Sequence, residues 1–187
     1  MPLNLPNLLT WTRIVLIPLL IGVFYLPLAD ERQNLLATCI FVIAALTDWL
    51  DGWLARRLGQ SSAFGAFLDP VADKLMVASA LVMLVQLDRV DAIIAVIIIG
   101  REIAISALRE WMAKIGASKG VAVSFVGKLK TTAQMVAIPM LLYRDDLFGL
   151  PITRIGDWLI WLAVLLTLWS MGYYLGKAGP EIRRRVG

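Results

Sequence analysis

The sequence has no histidine and only one cysteine among its 187 residues. The absence of histidine excludes imidazole catalysis and histidine-ligated zinc. A single cysteine, Cys39, excludes an intramolecular disulfide, and because it lies in an apolar run we interpret it as a small buried hydrophobe. Charged residues are scarce too, at 17% against 59% hydrophobic residues. This balance exceeds that of soluble globular domains and indicates an integral membrane protein.

Six long apolar stretches dominate what is present. Several are close to the ~20 residues that a helix needs to cross the hydrocarbon core of a bilayer. We therefore predict an all-α, polytopic membrane protein with one domain over residues 1–187, in which a short interfacial segment at residues 2–7 precedes six transmembrane helices. The predicted helices cover about residues 8–26, 34–57, 65–87, 91–113, 125–143 and 155–175.

Basic residues are distributed unevenly between the two ends of these helices. With six spans, both termini lie on one side, which also collects most of the lysines and arginines: Arg56, Arg57, Lys114, Lys119, Lys128, Lys130, Lys177, Arg183, Arg184 and Arg185. The positive-inside rule makes that side cytoplasmic. In so apolar a chain, a net charge of +4 fits loops that face anionic lipid, and we expect no nucleic-acid partner.

Four aspartates lie where the second predicted helix ends and the third begins. Asp48 and Asp51 are three residues apart and Asp69 and Asp73 are four apart, so each pair shares a helix face. If the two helices are neighbours, four carboxylates converge and repel one another unless cations lie between them. Hard carboxylate oxygens suit Mg²⁺ or Mn²⁺. The sequence thus predicts a site for one or two divalent ions, which opens toward the cytoplasm.

Small residues accompany these aspartates. Gly52 and Ala55 share the helix face of Asp48 and allow a helix or a substrate to approach the backbone closely. Arg56 lies one turn beyond Gly52, where a bidentate guanidinium could hold a phosphate. With Gly65 these residues complete the pattern D-x2-D-G-x2-A-R-x8-G-x3-D-x3-D. Through this pattern the chain resembles the CDP-alcohol phosphotransferase family.

The resemblance implies a six-helix membrane enzyme in which an alcohol attacks the pyrophosphate of a CDP-linked lipid and CMP is released. Two divalent ions would clamp the pyrophosphate and offset the charge on the leaving CMP. By resemblance, Asp73 also accepts the proton of the attacking hydroxyl, and a homodimer in the bacterial cytoplasmic membrane is implied. Candidates for binding the CDP-lipid are Gly52, Arg56 and Ser62, with Asn7 and Thr10 at the nucleotide end. For Asn7 and Thr10, helix capping is the alternative interpretation.

A group of cations in the fourth and fifth predicted helices is the candidate acceptor site. This cation group consists of Arg101, Arg109, Lys128 and Lys130. Next to a metal site it indicates a second anion, and hence an alcohol that carries a phosphate. Arg101 could instead pair with a nearby carboxylate, and the two lysines could be a positive flank of a membrane helix.

Two longer stretches, R-E-I-A-I-S-A-L-R-E-W and G-K-L-K-T-T-A-Q-M, resemble the branch of the family that uses sn-glycerol 3-phosphate. The implied reaction transfers the phosphatidyl group of CDP-diacylglycerol to that acceptor. One alternative keeps the chemistry and changes the acceptor, for example to inositol phosphate. Another is a carrier of divalent cations, because carboxylates inside a membrane also mark ion paths. The clustering of the aspartates at one face argues against a carrier.

Overall fold

The computed structural model describes residues 5–58, 63–114 and 125–186. Within these ranges only the backbone is described for residues 5–7, 52–56, 58, 63, 64, 66, 125, 126, 128 and 177–186. The described residues form six helices and no strand: α1 (Leu5–Val23), α2 (Asp30–Leu58), α3 (Ala63–Gln86), α4 (Ala92–Lys114), α5 (Phe125–Tyr143) and α6 (Ile152–Val186). For this part of the chain the all-α prediction is confirmed.

The helix ends differ from the predicted ends at both termini of the chain. We expected an interfacial segment at residues 2–7, but α1 already begins at Leu5, and residues 1–4 lie outside the described part. We expected the last helix to end near residue 175, whereas α6 continues to Val186. The polar tail contains glutamate and arginines, which are good helix formers, so loss of hydrophobicity does not end the helix.

One end of the helix bundle is held together by the turn between α3 and α4. Arg89 in this turn donates to the carbonyl oxygens of Leu141 (3.3 Å) and Leu142 (2.8 Å) near the end of α5, and to Oδ1 of Asn34 (2.7 Å) in α2. These bonds satisfy carbonyls that a helix C-terminus leaves unpaired. Burial is the main reason that the pKa of Arg89 is lowered. The opposite end of the bundle therefore collects the starts of α1, α3 and α5.

The hydrophobic core runs along the middle of the bundle. Helix α5 packs most extensively on α6, α1 lies against α2 and α3, and α4 lies against α3 and α6. Buried side chains from all six described helices form the main cluster, and its fully buried members include Leu20, Phe41, Leu81, Leu84, Ile98, Ile138 and Leu141. A smaller cluster joins α4 to α6 through Ile105, Met112 and Tyr174. The polar residues described below lie toward the end of the bundle where α1 and α3 begin and α2 ends.

Two of the described helices are long and apolar enough to cross a membrane, namely α2 over Asp30–Asp51 and α6 over Ile152–Gly176. A shorter apolar stretch covers Leu8–Val23 in α1. In α3 and α4 the apolar runs are interrupted by charged residues such as Asp73 and Arg101, which lowers their hydropathy. Cys39 lies on an exposed face of α2, so its interpretation as a buried hydrophobe is wrong. Apolar surface that faces outward is common in this fold, and Val96 is 70% exposed.

Candidate active site

Three of the four aspartates converge on a single arginine of α1. The guanidinium of Arg13 donates from Nη1 to Oδ1 of Asp73 (2.5 Å) and from Nη2 to Oδ2 of Asp51 (2.6 Å). Nη2 also lies 3.2 Å from Oδ1 of Asp48. Arg13 is 1% exposed. One side chain thus contacts carboxylates of both the α2 pair and the α3 pair, so the two pairs lie close together.

The fourth aspartate is also contacted from α1. The hydroxyl of Thr10 donates a short hydrogen bond to Oδ1 of Asp69. Thr10 lies within α1 rather than at its start, so helix capping is the wrong interpretation for this residue. Because Thr10 and Arg13 are three residues apart, they share a helix face. We call the four aspartates the carboxylate centre: Asp48, Asp51, Asp69 and Asp73.

Three of these carboxylates border a cavity of about 340 Å³ between α1, α2, α3, α4 and α5. Asp48, Asp69 and Asp73 line it together with Arg13. The side chains of Asp48 and Asp73 are 44% and 42% exposed, whereas that of Asp51 is 4% exposed. A substrate in the cavity can therefore reach Asp48 and Asp73 directly, and Asp51 lies behind Arg13.

A second charged cluster, centred on Glu102 of α4, also reaches the cavity. Its Oε1 atom accepts a short hydrogen bond from Nζ of Lys130 in α5 and lies 3.2 Å from Nη1 of Arg101. Lys130 is 1% exposed and Arg101 is 7% exposed. Arg101 also donates to Oγ of Ser170 (3.1 Å) in α6. Two buried cations thus share one carboxylate, which itself lines the cavity.

Arg109 completes the described part of the cation group. Its Nη2 atom donates to the hydroxyl of Tyr174 (3.4 Å), and its guanidinium carbon lies 5.5 Å from the centre of the Tyr174 ring. The guanidinium of Arg101 lies 6.0 Å from the same ring. Cations are attracted to the face of an aromatic ring at such distances. Tyr174 of α6 is fully buried, and its ring therefore positions both arginines of α4.

Several predicted residues lie outside the described side chains or residues, and the structure gives no contacts for them. They are Asn7, Gly52, Arg56, Ser62 and Lys128. Their predicted roles in binding the CDP-lipid and the acceptor phosphate stay predictions. Of the predicted acceptor residues, the structure brings Arg101 and Lys130 together at Glu102 and joins Arg109 to Tyr174. The expected alternative for Arg101, pairing with a nearby carboxylate, is what the contacts show.

The chemistry of the carboxylate centre fits a divalent cation. Its donors are hard oxygens from four acidic side chains around one small volume, the set that Mg²⁺ and Mn²⁺ prefer. Among the described residues, no three acidic or cysteine side chains already stand in a metal-binding arrangement. The guanidinium of Arg13 instead contacts one oxygen each of Asp48, Asp51 and Asp73.

A sequence profile of CDP-alcohol phosphatidyltransferases matches residues 3–169, which is most of the chain. The chain belongs to the CDP-alcohol phosphatidyltransferase family. The family resemblance predicted from the aspartate pattern is therefore confirmed. Both the carboxylate centre and the described cation group lie within the matched range. Ser170 and Tyr174 lie beyond it, in the half of α6 that the profile does not cover.

Individual relatives narrow the comparison within the CDP-alcohol phosphatidyltransferase family. A protein of Salmonella choleraesuis named CDP-diacylglycerol–glycerol-3-phosphate 3-phosphatidyltransferase is 51% identical over 184 residues, which cover 97% of this chain and 98% of its own. Proteins of the same name from Escherichia coli and Shigella flexneri are each 49% identical with the same coverage. These relatives match the chain almost from end to end.

Sequence reasoning missed four of the residues that build this CDP-alcohol phosphatidyltransferase site. They are Arg13, Glu102 as a shared counter-ion, Ser170 and Tyr174. A charged residue inside an apolar helix is a signal for a functional site, and it applied to Arg13 and Glu102. No comparable signal marks Ser170 or Tyr174, because a serine and a tyrosine are ordinary in a membrane helix.

Proposed function

We propose that this chain transfers the phosphatidyl group of CDP-diacylglycerol to sn-glycerol 3-phosphate, which releases CMP and forms phosphatidylglycerophosphate. Relatives that are about half identical over nearly the whole chain carry the name of this reaction. The observation that carries the proposal is the shared cavity, since Asp48, Asp69 and Asp73 line it together with Glu102, which is the partner of Lys130 and Arg101. A donor and an anionic acceptor can meet in such a space.

We propose two divalent ions, Mg²⁺ or Mn²⁺, as cofactors of the carboxylate centre, with Asp48, Asp51, Asp69 and Asp73 as the residues that would hold them. The support is the donor set and its location on the cavity. When bound, such ions polarise a pyrophosphate and offset the negative charge that develops on the leaving CMP.

Asp73 is the proposed general base. Its side chain is 42% exposed and borders the cavity, so a hydroxyl of the acceptor can approach it. In the proposed step the hydroxyl proton passes to Asp73 while the hydroxyl oxygen bonds to the lipid-side phosphorus. The bond from that phosphorus to the bridging oxygen breaks, and CMP leaves with the electron pair. The contact of Arg13 with Oδ1 orients the carboxylate.

The proposed acceptor phosphate binds to the cation group. Lys130 and Arg101 lie beside the cavity at Glu102, and both are almost fully buried. A phosphate there would receive charge-assisted hydrogen bonds in a site with little water, where such bonds are strongest. Arg109 and Lys128 are proposed to add positive charge near this phosphate. The proposed binding residues for the CDP-lipid are Gly52, Arg56, Ser62, Asn7 and Thr10.

The membrane arrangement is proposed as six spans in the bacterial cytoplasmic membrane, with both termini and the cavity on the cytoplasmic side. Large apolar side chains that face outward on several helices support it, because they would otherwise contact water: Val15, Leu19, Trp49, Val82, Ile93, Val96, Leu165 and Trp169. Several charged residues inside the helices line the cavity, as intramembrane charges usually do: Arg13, Asp48, Asp69, Asp73, Lys74 and Glu102. A homodimer is proposed from the family resemblance alone.

An assay of the purified protein tests the reaction. CMP release is measured with CDP-diacylglycerol and each of glycerol 3-phosphate, inositol phosphate, serine and glycerol, in Mg²⁺ and in EDTA. We expect rapid release only with glycerol 3-phosphate and Mg²⁺. Release with another alcohol but not with glycerol 3-phosphate would overturn the proposed acceptor, and full activity in EDTA would overturn the proposed ions. Mg²⁺ flux into liposomes without nucleotide would instead support a cation carrier.

A further inference from the structure

The position of Arg13 has a consequence for how the carboxylate centre binds ions. A buried guanidinium is costly to desolvate unless its hydrogens meet good acceptors. Arg13 is 1% exposed and meets Asp51 at 2.6 Å, Asp73 at 2.5 Å and Asp48 at 3.2 Å. These contacts bridge α1 to both α2 and α3, so a single side chain offsets the repulsion between the two aspartate pairs.

Through the same contacts, Arg13 competes with any divalent cation for the carboxylate oxygens. A carboxylate oxygen that accepts a short hydrogen bond from a guanidinium has less electron density and less space for a metal ion. An ion that binds the contacted oxygens of Asp51 and Asp73 must displace the guanidinium, and an ion on the second oxygens of these carboxylates lies close to its positive charge.

We propose that Arg13 is an internal counter-cation of the carboxylate centre. It holds the aspartates of α2 and α3 together when no divalent ion is bound, and it weakens the binding of ions by competing for the same oxygens. Arg13 is a positioning residue in this role. The inference rests on the proposed function in one respect, since that proposal assigns divalent ions to these aspartates.

The experiment measures Mn²⁺ binding to the purified full-length protein without nucleotide or alcohol, by the electron paramagnetic resonance signal of free Mn²⁺. Arg13→Gln removes the charge and keeps a polar side chain, and Arg13→Lys keeps the charge but offers a single ammonium group. Removing a positive charge at hydrogen-bond distance from a dication's ligands should tighten Mn²⁺ binding by about tenfold or more. We expect Arg13→Lys to lie between the wild type and Arg13→Gln.

The matched control is Lys114→Gln, which removes one positive charge from the same end of the bundle. Lys114 is 71% exposed and pairs only with Glu110 among the described residues. It should leave Mn²⁺ affinity unchanged. If Arg13 were only a structural brace, its loss would weaken Mn²⁺ binding, because the aspartates would move apart. The two roles thus predict opposite directions.

A second measurement covers the case in which Arg13→Gln is unstable without ions. Thermal unfolding is followed in EDTA and in Mn²⁺ for all variants. We expect the melting temperature of Arg13→Gln to fall in EDTA and to recover in Mn²⁺, with a larger gain from Mn²⁺ than the wild type shows. Equal or weaker Mn²⁺ binding by Arg13→Gln, including no binding by either protein, overturns the inference. CMP release with glycerol 3-phosphate is read separately, so failure of the proposed reaction is distinguishable.

Discussion

Asp48 and Asp73 expose nearly half of their side chains, at 44% and 42%, whereas Asp51 exposes 4% behind Arg13. Residues of the same type at similar spacing thus differ in what they can contact. A buried carboxylate that accepts hydrogen bonds from a guanidinium can stabilise the fold or bind an ion, but it cannot contact the hydroxyl of an incoming alcohol. Asp73 has both an accessible surface and an orienting contact, and this combination suits a general base.

Replacing Asp73 by asparagine tests that role. The amide keeps the size and an acceptor oxygen, but it cannot take a proton. We expect CMP release to fall by about 10²–10⁴-fold while the protein still purifies as a folded species. Turnover is measured with CDP-diacylglycerol and glycerol 3-phosphate at saturation. Retention of more than about a tenth of the wild-type rate would remove Asp73 from the role of base.

Asp88→Asn is the matched control for this substitution. Asp88 is exposed in the turn after α3 and has a φ of 54°. Asparagine adopts positive φ as readily as aspartate does, so the turn should be unaffected. The control should therefore turn over at the wild-type rate.

Replacing Lys130 by methionine tests the acceptor end. Arg101 remains beside Glu102, so the carboxylate keeps a partner and the fold should persist. Loss of one charge-assisted contact to a phosphate should raise the KM for glycerol 3-phosphate by about ten- to a hundredfold. The KM for CDP-diacylglycerol should change by less than about twofold. The steady-state kinetics of Lys114→Met serve as the control, and an equal rise in both KM values would contradict the assignment.

At the scale of single residues, the sequence predicted which carboxylates belong together but not what lies between them. The spacings of three and four residues required each pair to share a helix face. The contact of Arg13 with Asp51 joins residues 38 positions apart, and no local rule relates them. For the same reason the sequence did not predict the pairing of Lys130 with Glu102, and a carboxylate partner was considered only for Arg101.

The helices show where local pattern is sufficient and where packing decides. Apolar runs of about 20 residues gave the right number and order of helices, because hydrophobic length is read directly from the sequence. The end of α6 depended on the helix propensity of a polar tail, and we placed it too early. The buried Tyr174 of α6, which contacts Arg109, depends on how α6 packs on α4, and the sequence pattern carried no sign of it.

Gly156 tests the packing of α6 on α5. A Cβ atom at this position would lie 3.0 Å from side-chain atoms of Leu141 and 3.2 Å from Met140. Gly156→Val should therefore overpack the interface and cost about 1–3 kcal/mol. For a protein of this size that lowers the melting temperature by roughly 2–12 °C. Thermal unfolding in detergent is the measurement.

Gly172→Val is the matched control on the same helix. A Cβ atom there meets nothing within 4 Å. The change in helix propensity is the same at both positions, so the difference between the two melting temperatures reports packing alone. Equal melting temperatures would mean that Gly156 is not a close-approach position.

At the scale of the whole molecule, several charged side chains are buried while many large apolar side chains are exposed. Buried Arg13, Arg101 and Lys130 lie around the cavity, while Trp158 is 79% exposed and Trp169 is 71% exposed. Tryptophans in such positions are typical of the interface between lipid and water. Buried charges together with exposed large apolar side chains support the proposed membrane location.

Cysteine labelling tests the proposed orientation. In a Cys39→Ala background, single cysteines are introduced by Arg57→Cys at the end of α2 and by Asp146→Cys in the loop after α5. Both positions are exposed. A membrane-impermeant maleimide should label the first only in inverted vesicles and the second only in right-side-out vesicles. Labelling of both from the same side would contradict six spans with cytoplasmic termini.

The proposed chemistry of the carboxylate centre depends most directly on where divalent ions bind. The protein is crystallised in a lipid phase with Mn²⁺ and CDP-diacylglycerol, and the ions are located by their anomalous scattering. We expect anomalous peaks bound by oxygens from both the Asp48–Asp51 pair and the Asp69–Asp73 pair. Peaks on one pair alone, or peaks elsewhere with the four aspartates free of metal, would contradict it.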